Sequence, residues 1–259
     1  MNVMDGTENT NPVTLIADVS DPGSDDNPLS YVINWGDGST TSGTIAAGGT
    51  ISEDHIYSED GDYTVTLTIT DSDGASDTAS DTAHVDNVAP SIDSMSITTP
   101  INENDIATLT ADVSDPGSDD ATLNYEIDWG DGSAHTTGTV AAGGKINENH
   151  QYLDDDDDDT YTVTLIITDS DGATDTDTVD ITVNNVDPTV TVLYPNGGEL
   201  LSGTITIRWD ISDPGDDTFT TSLDYSTDAG VTWNNIINLG GCVHGVNSCL
   251  LYTSPSPRD

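Results

Sequence analysis

The sequence predicts an all-β protein built from tandem β-sandwiches, and three observations support this prediction. Long segments repeat: ADVSDPGSDD occupies residues 17–26 and again 111–120, and Trp129 of IDWGDGS follows Trp35 of INWGDGS by 94 residues. Apolar and polar residues alternate within each repeat, as in YTVTLTIT at 63–70, which is typical of half-buried strands. Clusters of Gly, Asp, Pro and Asn separate these runs at the spacing of roughly 8–12 residues that sandwiches show. A repeat of this length is the size of a whole small β domain.

The composition is strongly acidic, with 48 Asp and Glu against 3 Lys and Arg, a net charge of −45. Such charge with only 33% hydrophobic residues is common in disordered chains, but alternation kept in two copies indicates a folded protein. Nucleic acid is excluded as a partner because three cations cannot form a basic surface. Direct membrane insertion is not expected, because an anionic membrane would repel the chain and no apolar run approaches the ~20 residues of a spanning helix. No signal peptide is recognisable in the fragment.

The repeats divide the chain into four parts. A first module covers 1–87, a second covers 88–187, and a truncated third covers 188–248, where DISDPGDD echoes the earlier loops. Met1 aligns with Met95, so the first module is expected to lack the start of its first strand. The last residues, CLLYTSPSPRD at 249–259, resemble a translated sequencing adapter and are interpreted as an artefact, which leaves Cys242 without a disulfide partner.

Four sequence blocks occur in the same order in both modules: WGDGS, H-x-Y, YTVTL and TDSDG. This set resembles the polycystic kidney disease (PKD) domain, a seven-strand immunoglobulin-like β-sandwich, over residues 1–87 and 90–187. YPNGGELLSGTITIRW (194–209) and YSTDAGVTW (225–233) resemble an immunoglobulin- or fibronectin-III-like module. The resemblance implies a non-catalytic, extracellular or cell-surface module that serves as a spacer, an adhesive element or an accessory domain of a secreted protease or polysaccharide-degrading enzyme.

The conspicuous aromatic and histidine residues have structural interpretations. Trp35 and Trp129 precede tight G-D-G turns, so we expect them in the core. His55 and His150 each stand alone in a module, without a triad-like spacing, so we expect packed structural histidines. The segment from Ser226 to Trp233 fits an Asp-box hairpin. A sialidase is excluded because the chain lacks an arginine cluster for the substrate carboxylate, and no catalytic residue is predicted.

The acidic loops are predicted to bind Ca²⁺, which takes six to eight hard oxygen ligands. Immunoglobulin-like topology places the DPGSDD and DSDG loops at one end of a module and the Asp154–Asp159 loop at the other, so stacking brings these ends together. The ligands expected at the first junction are Glu59, Asp60, Asp86, Asn87, Asp115, Asp119 and Asp120. Those expected at the second junction are Asp154, Asp155, Asp187, Asp213, Asp216 and Asp217. The alternative is that these carboxylates only solvate the surface, as in proteins adapted to high salt.

The sequence thus predicts a non-catalytic spacer or adhesion region of a secreted or cell-surface protein, stiffened by Ca²⁺. Its partner would be a protein or polysaccharide ligand at the cell surface or in the matrix. The alternative is an accessory region of a secreted hydrolase that holds a protein or carbohydrate substrate. An exposed row of aromatic side chains would favour this alternative, whereas aromatic residues confined to the core would favour the spacer.

Overall fold

The chain folds entirely into β-strands in its described part. The structure is a computed structural model that describes residues 1–23, 27–117, 120–155, 160–201, 203–215, 219–242 and 245–252. All secondary-structure elements in these ranges are β-strands. Consequently no helix among the described residues has the length and apolar character needed to cross a membrane. The prediction of an all-β fold is confirmed.

The strands are numbered in chain order. They are β1 Asn2–Met4, β2 Gly6–Thr7, β3 Val13–Asp18, β4 Leu29–Asn34, β5 Thr40–Ile45, β6 Thr50–His55, β7 Gly61–Thr70, β8 Ser76–Asp86, β9 Ser91–Ile97, β10 Ile101–Asn102, β11 Ile106–Ser114, β12 Thr122–Asp128, β13 Thr136–Ala141, β14 Lys145–Gln151, β15 Thr160–Thr168, β16 Thr174–Asn184, β17 Thr189–Tyr194, β18 Thr204–Ser212, β19 Phe219–Tyr225, β20 Asn234–Cys242 and β21 Gly245–Tyr252.

The chain divides into two compact units. One contains Met1–Ser96, Leu109–Asn147 and Val163–Val179, and the other contains Ile97–Thr108, Glu148–Thr162 and Asp180–Asp259. The first predicted module therefore lies wholly within one unit. The domain boundaries at residues 87, 187 and 248 remain predictions.

The first module is a sandwich of two sheets. One sheet has the order β2-β8-β7-β4-β5 and the other the order β1-β3-β6. The first strand is divided between them: β1 pairs antiparallel with β3, and β2 pairs parallel with β8. Asp5 lies between β1 and β2, where the chain passes from one sheet to the other. This two-sheet arrangement confirms the predicted immunoglobulin-like sandwich.

The core of the first module follows the two-residue alternation of its strands. Alternate positions of β3 and β4 are buried, as are Val65 and Leu67 of β7, and the intervening, mostly polar residues lie on the outer faces. The fully buried members include Val13, Leu15, Leu29, Ile33, Trp35 and Val65. Burying a side chain of this size contributes about 1.5–3 kcal/mol. The alternation therefore fixes which face of each strand points inward.

A network of hydrogen bonds and ring contacts holds the WGDGS turn of the first module against the core. Tyr57 Oη donates a 2.7 Å hydrogen bond to the Trp35 carbonyl oxygen, and Asp37 Oδ1 accepts one of 2.8 Å from Ser39 N. The His55 ring stacks on Trp35 at a centroid distance of 4.9 Å, and His55 Nε2 lies 2.7 Å from Asp37 Oδ2. His55 is thus packed and hydrogen-bonded, as the sequence predicts.

The second module repeats these local features. β12 pairs antiparallel with β13 and β15, as β4 does with β5 and β7, and β10 pairs parallel with β16, as β2 does with β8. Trp129 is buried, and Asp131 Oδ1 accepts a hydrogen bond from Ser133 N. The His150 ring makes an edge contact with Tyr152.

The third segment has a smaller hydrophobic core than the first module. It forms the sheets β17-β18-β21 and β19-β20 around Ile207, Trp209 and Ile211. In its Asp-box turn, hydrogen bonds from Thr232 lower the pKa of Asp228 to about 2. Trp233, at the end of this turn, is 65% exposed. Residues 249–252 of the suspected adapter form the end of β21 and pair with β18, and residues 253–259 lie outside the described part of the chain.

Replacing Tyr57 with Phe should destabilise the first module by about 1–2 kcal/mol, because the buried Trp35 carbonyl loses its hydrogen bond and cannot reach water. Urea denaturation followed by Trp fluorescence measures the change. Tyr225→Phe is the control, since Tyr225 is 47% exposed. Equal stabilities of the two variants would show that this network does not stabilise the turn.

Candidate metal-binding junctions

Two loops of the second module are tied together at one of its ends. Asp115 Oδ1 accepts a 2.9 Å hydrogen bond from Gly117 N, which closes a tight turn. Asp120 is fully buried, and its Oδ1 accepts bonds from Ser170 N at 2.8 Å and Ser170 Oγ at 2.6 Å. The loop after β11 and the loop after β15 therefore share one end, as the sequence predicts.

Glu8 of the first module reaches this end. Its side chain is fully buried, its backbone N donates to the Asp86 carbonyl oxygen, and its Oε1 accepts a 2.8 Å hydrogen bond from Val88 N of the linker. The adjacent Asn9 Nδ2 donates to the Pro116 carbonyl oxygen at 2.6 Å. One carboxylate oxygen from each of Glu8, Asp115 and Asp120 lies within 4.8 Å of the others. We call this group the first acidic cluster.

Because Gly117 has no side chain, a space remains beside it, and carboxylates of the first acidic cluster face this space. A Cβ atom at residue 117 would lie 2.8 Å from Asp120 Oδ2 and 2.9 Å from Glu8 Oε2, so both oxygens point toward one spot. Asp120 Oδ2 is buried and accepts no hydrogen bond from the described residues. The same holds for Asn87 Oδ1, while Asn87 Nδ2 donates to Asp169 Oδ2 at 3.0 Å. These buried oxygens could coordinate a cation.

A related group occurs one module later. Glu103 is 2% exposed, and its Oε1 accepts a 2.7 Å hydrogen bond from Val186 N of the next linker. One oxygen from each of Glu103, Asp154 and Asp155 lies within 4.8 Å of the others, and we call this the second acidic cluster. A Cβ atom at Gly215 would overlap Glu103 Oε2. The Asp213–Gly215 turn therefore lies against Glu103 as the Asp115–Gly117 turn lies against Glu8.

The predicted ligands of the first junction divide into three groups. Asp115 and Asp120 belong to the first acidic cluster, and Asn87 contacts Asp169 at the same end of the module. Asp86 instead lies beside His84, at 3.3 Å, and the carbonyl groups of Glu59 and Asp60 accept hydrogen bonds from Tyr63 Oη. Neither Asp86, Glu59 nor Asp60 belongs to the cluster found among the described residues. Asp119 lies outside those residues.

The ligands predicted for the second junction are also only partly brought together. Asp154 and Asp155 belong to the second acidic cluster, and Asp213 is buried next to it through the contact of Gly215 with Glu103. Asp187 is exposed and is not part of the cluster among the described residues. Asp216 and Asp217 lie outside the described part of the chain.

Sequence reasoning missed Glu8 and Glu103, one in each cluster. Both lie in the short connection between the divided first strand and the next strand, where no hydrophobic periodicity marks them. A weak signal was present, because Glu-Asn recurs at residues 8–9 and 103–104 with a spacing of 95 residues. These glutamates extend each junction to the end of the preceding module.

The clusters concentrate negative charge with little compensation from basic side chains. At 4–5 Å and an effective dielectric constant near 20, two carboxylates repel by roughly 3–4 kcal/mol. The chain has three Lys and Arg residues, and Lys145 Nζ lies 2.6 Å from Asp112. A bound cation would remove this repulsion.

The histidines that the structure describes lie outside the two acidic clusters. His84 is 57% exposed, with Nδ1 2.7 Å from Asp62 Oδ1, and His135 Nδ1 lies 2.5 Å from Glu126 Oε1. The hydrogen bond to Asp62 raises the pKa of His84 above 6.5, and the hydrogen bond to Glu126 does the same to the pKa of His135. These are surface ion pairs with acidic neighbours.

An NMR titration should give His84 a pKa above 6.5, and Asp62→Asn should lower it while leaving that of His135 unchanged. Because folding raises this pKa, the ion pair stabilises the fold below the ordinary histidine pKa. That contribution is lost as the pH rises through the raised value. A His84 pKa at or below 6.5 would contradict the hydrogen bond to Asp62.

Replacing Gly117 with Ala should destabilise the protein by about 1–3 kcal/mol, because the added methyl group would crowd Asp120 Oδ2 and Glu8 Oε2. Thermal denaturation measures the change, with Gly240→Ala as the control because no atom lies within 4 Å of that added Cβ. Where space is available, Gly→Ala stabilises by about 0.4–1 kcal/mol. A stabilised Gly117→Ala protein would therefore refute the packing described for this cluster.

Comparison with known proteins places both modules in one family. The profile of the PKD domain matches residues 4–85 and 87–183. Similar solved structures include the PKD domain of a peptidase from a Thermoplasmatales archaeon, with 24% identity, 38% of this chain and 98% of that chain covered, and a TM-score of 0.31. A tetra-tandem repeat in the extending region of a large adhesion protein has 18% identity and a TM-score of 0.47, with 96% of this chain and 65% of that chain covered.

A two-domain fibronectin type III segment of chicken tenascin is also similar, with 16% identity, 70% and 96% coverage and a TM-score of 0.41. No curated protein matches the sequence. The family matches cover well over half of the residues and coincide with the repeated WGDGS, H-x-Y and YTVTL blocks. The chain therefore belongs to the PKD domain family, of which it carries two domains in tandem.

Proposed function

We propose that this chain is a non-catalytic spacer and adhesion region of a secreted or cell-surface protein, and that Ca²⁺ at the junctions between its modules restricts their movement. PKD domains are non-catalytic modules typical of extracellular and surface proteins. The partner would be a protein or polysaccharide ligand outside the cell. The proposal has two parts, an array of modules and an ion that stiffens it.

The fully buried Asp120 carries the calcium proposal. Ser170 holds Asp120 Oδ1, and this leaves Oδ2 directed at the space above Gly117 that Glu8 Oε2 also faces. A carboxylate with no exposure cannot serve to solvate the surface, and burial of an uncompensated charge is costly. This argues against the alternative in which the acidic residues act only as a hydrated surface for high salt.

The ligands at the first acidic cluster suit Ca²⁺ better than other common metals. Glu8, Asp115 and Asp120 offer hard carboxylate oxygens, and Asn87 Oδ1 adds a buried amide oxygen at the same junction. Ca²⁺ accepts irregular sets of six to eight oxygens that water can complete, whereas Mg²⁺ requires a small octahedron. We expect a dissociation constant of about 10⁻⁴–10⁻³ M, as for extracellular calcium modules.

An ion at this position would link three parts of the chain. Glu8 comes from the first module and is fixed by the linker through Val88 N, while Asp115 and Asp120 come from two positions in the loop of the second module. Coordination by all three carboxylates would oppose bending at the linker. The second acidic cluster has the same connection, because Glu103 is fixed by Val186 N.

One observation favours the alternative of an accessory region of a secreted hydrolase. The third segment exposes Trp233 by 65% and Tyr225 by 47%, and Trp233 borders an open cavity of 470 Å³. An exposed Trp can stack on a sugar ring. In the two PKD domains, by contrast, Trp35 and Trp129 are buried, which supports the spacer for that part of the chain.

Adding Ca²⁺ should raise the melting temperature, and Asp120→Asn should weaken Ca²⁺ binding at least about tenfold in calorimetric titrations. Without Ca²⁺ the same variant should be as stable as the parent or more so, because Asn removes carboxylate repulsion and keeps an oxygen for Ser170. The control is Asp177→Asn, which removes the same charge from an exposed position on β16.

A variant that is at least as stable as the parent without Ca²⁺ but gains less stability when Ca²⁺ is added distinguishes an ion site from general charge screening. If only bulk charge mattered, Asp120→Asn and Asp177→Asn would respond alike to Ca²⁺. A flat titration of the parent protein, with no thermal shift between EDTA and millimolar Ca²⁺, would reject calcium at these junctions.

A further inference from the structure

The first module carries, at its outer end, the same loop chemistry that the second module uses at the first acidic cluster. Asp21 Oδ1 accepts a 2.6 Å hydrogen bond from Gly23 N, as Asp115 does from Gly117 N. Asp71 Oδ1 accepts one of 2.8 Å from Ala75 N, which matches the bond between Asp169 and Ala173. We call the surface formed by residues 21–23 and 71–77 the head face of the first module.

The two corresponding surfaces differ in what covers them. In the second module, Gly117 is buried under the Glu8 carboxylate, and Asp169 is 3% exposed with its Oδ2 bound by Asn87. On the head face, Gly23 is exposed and Asp71 is only partly buried. Asp26, the counterpart of Asp120, lies outside the described residues. Among the described residues, the head face is thus a more exposed copy of a surface that Glu8 and Asn87 cover one module later.

An open groove of 380 Å³ continues from the head face along the sandwich. Leu29, Leu67 and Ile69 contribute apolar lining, and the carboxylates of Asp71 and Asp77 contribute acidic lining. In the second module, the linker residue Pro90 is buried, and Ile92 N at the start of β9 donates a 2.8 Å hydrogen bond to Asp175 Oδ2. Asp77 is the repeat counterpart of Asp175. The groove therefore offers an apolar lining and a carboxylate acceptor, which are the features that residues 87–92 use in the second module.

We propose that the head face is a docking surface for the tail of another PKD-like module. The fitting tail has a buried Glu followed by Asn, as at Glu8-Asn9, and an extended linker of the form Asn-Val-x-Pro, as at residues 87–90. The linker Asn donates to Asp71, the Asn after the Glu donates to the Pro22 carbonyl, and an N–H two residues after the linker Pro donates to Asp77. This proposal goes beyond calcium binding, because these hydrogen bonds need no ion.

The alternative occupants are less suited to this face. A polyanion would be repelled by Asp18, Asp21, Asp71 and Asp77, which line the groove. A purely apolar peptide would offer no additional donor to the carboxylates of Asp71 and Asp77. The tail of a PKD-like module supplies amide donors for the carboxylates and a Pro for the apolar lining, as residues 87–92 do in the second module.

The test is an extended chain in which a copy of residues 1–94 precedes Met1 of the full sequence. The added Ser94 then takes the place that Ser94 holds before Met95. Fusion gives the tail a high effective concentration at the head face. Amide hydrogen exchange of the original residues 20–31 should slow at least about tenfold relative to the parent, in EDTA as well as in Ca²⁺.

Gly23→Leu provides the decisive variant. In the parent chain it should leave the melting temperature unchanged, because Gly23 is exposed, but in the extended chain it should abolish the added protection by occupying the position of the incoming Glu. Gly240→Leu, also at an exposed glycine with open space around it, is the control in both chains.

The outcomes separate this inference from the calcium proposal. Protection in EDTA supports docking even if no Ca²⁺ binds at the first acidic cluster. Protection that appears only with Ca²⁺ overturns docking through these hydrogen bonds and assigns the contact to the ion. Unchanged exchange in both conditions, or protection that survives Gly23→Leu, overturns the docking surface. Concentration-dependent self-association of the parent chain that Gly23→Leu abolishes would support the same surface with a second copy as its partner.

Discussion

Repulsion among carboxylates is the constraint on which the rest of this structure depends. A chain with a net charge of −45 can fold only if each acidic side chain is hydrated, bonded to amide groups or neutralised. The sheets contribute to this by placing Thr and Ser between many of the buried apolar residues, and many of the described carboxylates lie in turns and at module ends. The acidic clusters are the places where hydration is given up.

Backbone amides take over much of the role that basic side chains have in other proteins. Asp37, Asp71, Asp115 and Asp131 each accept hydrogen bonds from amide groups two or four residues later in their own turns. Glu8 and Glu103 accept theirs from the linker, through Val88 N and Val186 N. Hydrogen bonds of this kind stabilise a charge without requiring a cation. They also couple the position of each carboxylate to the path of the backbone.

The sequence predicted features that depend on local pattern, and it failed where side chains from distant segments meet. Two-residue alternation and the G-D-G turns were sufficient to predict the strands and the burial of Trp35 and Trp129. Topology placed the DPGSDD loop at the correct end, but it could not show that Glu8, more than a hundred residues from Asp115, would turn toward that loop. For the same reason the assignment of Glu59 and Asp60 to a junction stays a prediction, because topology places their loop but does not fix the directions of their side chains.

The open edge of β8 shows how the acidic composition affects pairing between separate molecules. β2 pairs with this edge only at Val85 and Asp86, so in the described structure the stretch from Ser76 to Asp81 has no strand beside it on that side. Open strand edges invite pairing with other chains, and many proteins block them with lysine. Here the exposed Asp77 serves instead, so protection of this edge depends on a charge that acid removes and salt screens. Crowded copies would therefore stay separate at neutral pH and tend to aggregate through these edges on acidification.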